Sequence, residues 1–208
     1  MGLPLLQQAL AGHQRRGQFE FAQRRVQRHL ADALARLGRH DEALAMLTTA
    51  LAAHEAAQPA HRQPTASAPP AHRQPSAATR ERLGRLLLDM NRPDAARAQL
   101  QRVVDDAAVK SWSHVALAQA GLARAAPLHD DRSAASAHSQ AALDTWGRLT
   151  GFRDVRMQAC LWCVRAAVLA AAGGAAGART LRDQALAAAR RTDAPESLSV
   201  THAANLGL

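Results

Sequence analysis

The apolar positions of this chain recur with a helical period, and the helical segments come in pairs. Val26, Leu30, Ala33, Leu34 and Leu37 fall on one stripe at three- and four-residue spacing. Gly38 predicts the end of that helix, because glycine enters the left-handed region most cheaply. Asp41 and Glu42 predict the start of the next, where carboxylates suit the positive end of the dipole. Leu44, Leu47 and Leu51 supply its buried face. The same order of signals then returns. Leu83, Leu86, Leu87 and Met90 form a stripe and Asn91 stops it. Pro93 stands in the first turn of the following helix, where a missing amide costs little, and Ala96, Leu100 and Val104 follow. A third pair runs from Trp112 to Ala126 and from Ser133 to Leu149, broken at Pro127. A fourth runs from Val155 to Ala172 and from Ala175 to Arg191, turning at Gly173-Gly174.

These pairs are copies of one unit. Ala9-Leu10, Ala50-Leu51, Val103-Val104, Ala142-Leu143 and Ala185-Leu186 hold equivalent places, at successive offsets of 41, 53, 39 and 43. The long offset has a visible cause. Residues 56–78 carry Pro59, Pro64, Pro69, Pro70 and Pro75, and spell Ala-His-Arg-Gln-Pro twice, at 60–64 and 71–75. Proline removes amide donors and restricts the residue before it, so the segment predicts a Pro-rich loop inserted between two repeats. Sequence duplication accounts for the repeated pentapeptide without a binding motif. Past Thr192 the pattern is lost. The expected organisation is one helical repeat domain over 1–191 and a C-terminal tail over 192–208. Residues 3–14 match the second helix of a pair with no first helix before them, so the chain is expected to begin mid-repeat.

Composition narrows the class to all-α. Of 208 residues, 51 are Ala, the strongest helix former, and there is no Ile. The uncharged stretch from Ala166 to Ala178 is too short to span a bilayer and contains Gly173 and Gly174. No targeting segment is visible, and a cytoplasmic protein without a membrane span is expected.

Leu30, Leu34, Gly38, Ala43, Leu47 and Ala50 resemble the tetratricopeptide signature: a leading Leu, a helix-ending Gly and a small residue where two helices cross. Leu83-Gly84, Leu87, Ala96 and Leu100 are similar to it as well. The chain departs from the pattern at Ala31, where Gly is usual, and at Arg165 and Arg182, where apolar residues are usual. Its spacing near 40 exceeds the usual repeat length. The resemblance implies a right-handed αα-superhelix of about four helical hairpins. It implies a non-catalytic interaction scaffold, similar to the repeat regions that follow bacterial serine/threonine kinase domains, and so the C-terminal part of a longer bacterial signalling protein. In such arrays the first helices line a concave groove that binds peptides. The exposed groove positions it implies here are Arg25, Arg28, Asp32, Arg36, Glu81, Arg85, Asp89 and Arg124. Five of the eight are Arg, whose fork suits carboxylates, so an acidic peptide or protein partner is expected. A solvated charged face is the plain alternative. Reversing Arg25 and Arg28 to Glu tests the two.

The net charge of +9 leaves nucleic acid as an alternative partner. No aromatic residues alternate with the arginines to stack bases, which weighs against single-strand binding. Arg with abundant Ala and one Lys, Lys110, is also what a GC-rich genome writes wherever a solvated charge is needed.

Catalytic signatures are scarce, although an enzyme of unrecognised type stays open. Cys160-Leu161-Trp162-Cys163 has redox spacing but falls inside a predicted helix, where buried small hydrophobes are the simpler reading. A zinc site needs further ligands at suitable spacing. Gly173-Gly174 through Thr180 lacks the Lys and the preceding strand of a phosphate loop. His129-Asp130-Asp131 reads as a loop and helix cap. Neither metal nor cofactor is expected.

Overall fold

The computed structural model describes residues 20–57, 73–106, 112–126, 130–149 and 154–191, with Pro4 and Gln8, and side chains from 26 to 56 and from 76 onward within the first two segments. The half-repeat at 3–14 apart from Pro4 and Gln8, the tail 192–208, His129 and Pro127 lie outside them. Among the described residues the fold is all-α, with no strand. The helices are α1 (Glu20–Arg36), α2 (His40–Ala57), α3 (Arg73–Asp89), α4 (Pro93–Asp105), α5 (Trp112–Ala125), α6 (Arg132–Gly147), α7 (Val155–Ala171) and α8 (Ala175–Arg190). None is long and apolar enough to cross a membrane.

Contacts divide the chain into two compact units, Met1–Lys110 and Ser111–Leu208. In the first, α1 packs on α2, α2 on α3, α3 on α4, and α1 also touches α3. The second repeats the scheme with α5 to α8, and α5 touches α7. Each unit is thus two hairpins stacked so that their first helices meet.

One turn is used four times. Gly38, Asn91, Asp130 and Gly173 all have positive φ, at 74°, 54°, 54° and 83°. In each case the next residue's amide donates back to a carbonyl five residues earlier: Arg39 to Leu34 (2.9 Å), Arg92 to Leu87 (2.8 Å), Asp131 to Ala126 (3.1 Å) and Gly174 to Leu169 (2.8 Å). This is the Schellman closure, which satisfies carbonyls a helix end would leave bare. The second helix starts two residues after the left-handed residue every time, at His40, Pro93, Arg132 and Ala175. Three of the four stops follow from Gly or Asn in the sequence. Asp130 is the exception, an Asp tolerated in the left-handed region because of its short polar side chain.

Counting from the left-handed residue exposes the packing rule. Seven positions before it stand Ala31, Gly84, Ala123 and Ala166, all buried. Five positions after it stand Ala43, Ala96, Ala135 and Ala178, and twelve after it Ala50, Val103, Ala142 and Ala185, again all buried. Small residues at these places let the paired helices approach. The approach is closest at Gly84, where an added Cβ would lie 2.5 Å from Leu100 Cγ. The leading position holds Leu30, Leu83, Leu122 and Arg165, and the one nine after the turn holds Leu47, Leu100, Ser139 and Arg182. The two departures at Arg165 and Ser139 answer each other. Arg165 Nη1 donates to Ser139 Oγ at 2.9 Å, to Ser136 Oγ at 3.2 Å and to the Ser136 carbonyl at 3.1 Å. A polar tie between α6 and α7 thereby replaces apolar contact.

The Pro-rich segment is shorter than the 56–78 expected from its prolines. α2 continues to Ala57 and α3 begins at Arg73, so Arg73-Gln74-Pro75 of the second pentapeptide are helical. Pro75 is tolerated because it sits in the first turn, where amides have no partner within the helix. Burial of Ser76, Ala77, Ala78 and Thr79 recruits these residues into the core. Residues 58–72 lie outside the described residues.

Candidate interaction face

In the first unit the expected groove residues fall on α1 and α3, the two helices that meet between its hairpins. Position equivalence explains their grouping. Asp32 and Arg85 each stand six residues before a left-handed turn, and Arg28 and Glu81 each stand ten before. Asp32 receives Arg82 Nε on Oδ2 at 3.0 Å, and Arg85 Nη2 approaches its Oδ1 at 4.0 Å. Arg85 also pairs through Nε with Glu81 Oε1 at 2.5 Å. Two carboxylates and two guanidinium groups therefore balance one another across α1 and α3.

This corrects the expectation that all eight residues are exposed. Glu81 is 1% exposed and Arg28 is 9% exposed. Asp32, Arg85 and Arg124 are half-buried, and only Arg36 and Asp89 are exposed. Arg25 lies in α1 with its side chain outside the described residues. Arg124 belongs to the second unit, on α5. The physical reason is the stacking of α1 on α3, which covers the flank of each helix that faces the other. Reversal of Arg28 consequently tests packing as well as binding.

Sequence reasoning missed Arg80 and Arg82. Arg80 bridges three helices: Nη2 pairs with Glu55 Oε1 on α2 at 2.5 Å, and Nη1 donates to Gln99 Oε1 on α4 at 3.1 Å. Its pairing and that of Arg82 join residues 25 and 50 apart, and no local spacing announces them. The Glu81–Arg85 pair, by contrast, has the four-residue spacing that places side chains on one helix face. At the α1–α2 turn Arg39 grips Glu42 with two bonds of 2.6 and 2.7 Å. That hydrogen bond holds the Glu42 carboxyl below its usual range and raises the Arg39 guanidinium.

The cysteine pair sits within α7, as its helical context predicts. Cys163 is buried against Ala159, Ala185 and Ala188. Burial, with a smaller contribution from Cys160, pushes its thiol up to about 12. A thiol so placed is protonated at neutral pH and is a poor nucleophile and a poor metal ligand. No group of three or more His, Cys, Asp or Glu able to hold a metal occurs among the described residues. Asp131 and Asp154 cap α6 and α7, Asp131 accepting from Ala134 N at 2.9 Å and Asp154 from Arg156 N at 2.8 Å. Gly173 and Gly174 form the α7–α8 turn.

Compared with known families and with curated proteins, the sequence matches no family model and no curated relative.

Proposed function

We propose that the protein is a non-catalytic scaffold of the tetratricopeptide-like kind, each unit a two-hairpin segment of a right-handed array, binding a protein or peptide along its first helices. The observation that carries this reading is the fourfold recurrence of one turn with small buried residues at fixed distances from it. Such regularity specifies a repeating support and leaves the outer helix positions to determine the partner. Of the groove positions expected on α1 and α3, Arg36 and Asp89 are exposed among the described side chains, and they are the ones to vary. Residence in the cytoplasm belongs to the same reading, supported by two cysteines that form no disulfide. So does a place in a longer bacterial signalling protein, which rests on the resemblance alone.

The test is capture by the immobilised full chain from nuclease-treated lysate at physiological salt, followed by titration of the retained protein in purified form. The control carries Arg36→Glu and Asp89→Arg. Saturable binding by the wild type that the exposed-face variant loses supports the scaffold. Material held only before nuclease treatment, with affinity collapsing as salt rises, means that the positive charge serves nucleic acid instead.

A further inference from the structure

In the second unit the two inter-helix turns, at Asp130 and Gly173, lie at one end of the hairpin pair. The opposite end gathers the start of α5, the close of α6, the start of α7 and the close of α8. Two of the three large hydrophobic side chains that are exposed among the described residues stand there: Trp112, 46% exposed, and Val155, 37% exposed, the first residues of α5 and α7. They occupy equivalent positions, each eighteen residues before its left-handed turn, on helices that touch. Arg148, Arg156, Arg190 and Arg191 stand at the helix ends gathered there, all exposed. Of the acids nearby, Asp154 is committed to capping α7, and Asp144 takes a hydrogen bond from Gln140. This end of the unit thus offers exposed apolar side chains and positive charge together.

We propose that this end face docks residues 192–208 of the same chain. Three observations select that occupant. The segment leaves directly from Arg191, at the end where Trp112 and Val155 are exposed. It carries Asp193 and Glu196 and no Lys or Arg, opposite in sign to the face. It then supplies Leu198 and Val200, apolar side chains for an apolar patch, after the acidic pair that meets the arginines. Seventeen residues at about 3.3 Å each reach well beyond the width of two packed helices. Tethering makes the docking intramolecular, so a modest contact suffices to keep it occupied. The inference concerns the second unit only and does not depend on what the first-helix face binds.

The full chain labelled with 5-fluorotryptophan tests it. Only three Trp are present, at 112, 146 and 162, so three fluorine resonances are expected, and Trp112→Phe assigns the one that matters. In the wild type, Trp112 shows a small change in shift between light and heavy water, because the segment shields it. In the full-length Leu198→Asp/Val200→Asp variant the change rises toward that of an open indole, while those of Trp146 and Trp162 stay put. Equal, large solvent sensitivity in both proteins overturns the proposal. Shielding that survives the variant but disappears on dilution also overturns it, because a second copy is then the occupant.

Discussion

Replacing Gly84 with Ala probes the closest helix crossing in the first unit, and the structure fixes the sign of the result. The new Cβ would meet Leu100 at 2.5 Å from Cγ, 2.6 Å from Cδ2 and 3.2 Å from Cδ1. Leu100 is fully buried, at 0% exposure, and so has no solvent into which to swing. Overpacking of this kind costs about 1–3 kcal/mol. Against it stands the gain of about 0.5–1 kcal/mol when Ala replaces Gly inside a helix. The net expectation is destabilisation by roughly 0–2.5 kcal/mol. Leu100→Ala alone loses more, about 2–5 kcal/mol, by opening a cavity. In that background the Gly84→Ala methyl enters vacated space, the clash is gone, and only the helix preference remains. Gly84→Ala should then stabilise by about 0.5–1 kcal/mol. The same substitution thus changes sign with its neighbour, a coupling of about 1–3 kcal/mol. Urea unfolding followed by circular dichroism measures all four proteins. Tryptophan fluorescence separates the units, since every Trp lies in the second. If Gly84→Ala stabilises the wild type, or acts equally in both backgrounds, the close approach of α3 and α4 is wrong.

Three further outcomes follow from other parts of the molecule. Gly173→Ala should cost about 1–2 kcal/mol from backbone strain alone, since φ is 83° and a Cβ there meets nothing within 4 Å; an unchanged midpoint in denaturant would contradict the left-handed turn. Asp32→Asn should destabilise by about 1–2 kcal/mol, between exposed and buried ion pairs, and a double-mutant cycle with Arg82→Met should recover most of that loss as coupling; additive effects would remove the pair from the argument. Burial raises the Cys163 thiol from 9.0 to about 12, so the neutral thiol favours folding. That contribution is complete below the unfolded value near 9 and is lost as pH climbs toward 12. Cys163→Ala, which has no thiol to ionise, should accordingly lose less stability than the wild type between pH 9 and 12, whatever it costs at pH 7, and thiol-directed reagents at pH 8 should spare Cys163 until the protein unfolds; rapid labelling of native Cys163 would refute its burial.

How much of this was legible in the sequence depends on the range of the interaction. Helix stops at Gly38, Asn91 and Gly173 are local events, governed by the backbone freedom of one residue, and the hydrophobic stripes locate the helices to within a few residues. Asp130 was hidden because the nearby Pro127 offers a more obvious break and because Asp enters the left-handed region only in suitable surroundings. Pro75 misled for the opposite reason: a strong local breaker is harmless in a first turn. In the later hairpins Arg165 departs from the apolar pattern, and the structure sets it against a second departure, Ser139. Side by side they form one interaction, and its two halves are separated by a whole helix and turn. The eight groove residues show the same limit. Arg28, Asp32, Glu81 and Arg85 stand at equivalent places on α1 and α3, but the cover supplied by stacking α1 on α3 could not be read from either helix alone.

That cover changes what the positive charge of the first unit can do. A carboxylate on a partner gains from an arginine only if the arginine's existing contacts are poorer than the ones offered. Arg80, Arg82 and Arg85 already face Glu55, Asp32 and Glu81. An incoming carboxylate would have to displace these, leaving Glu81 or Asp32 partly desolvated without its counter-ion, and the cost of that stranded charge offsets the new contact. A uniformly acidic peptide therefore gains little from the α3 arginines despite their number. Arg36 and Asp89, exposed and of opposite sign, occupy equivalent positions two residues before their turns. A partner carboxylate directed at Arg36, exposed at the close of α1 and outside those pairs, is the contact that leaves the pairs holding the hairpins together intact.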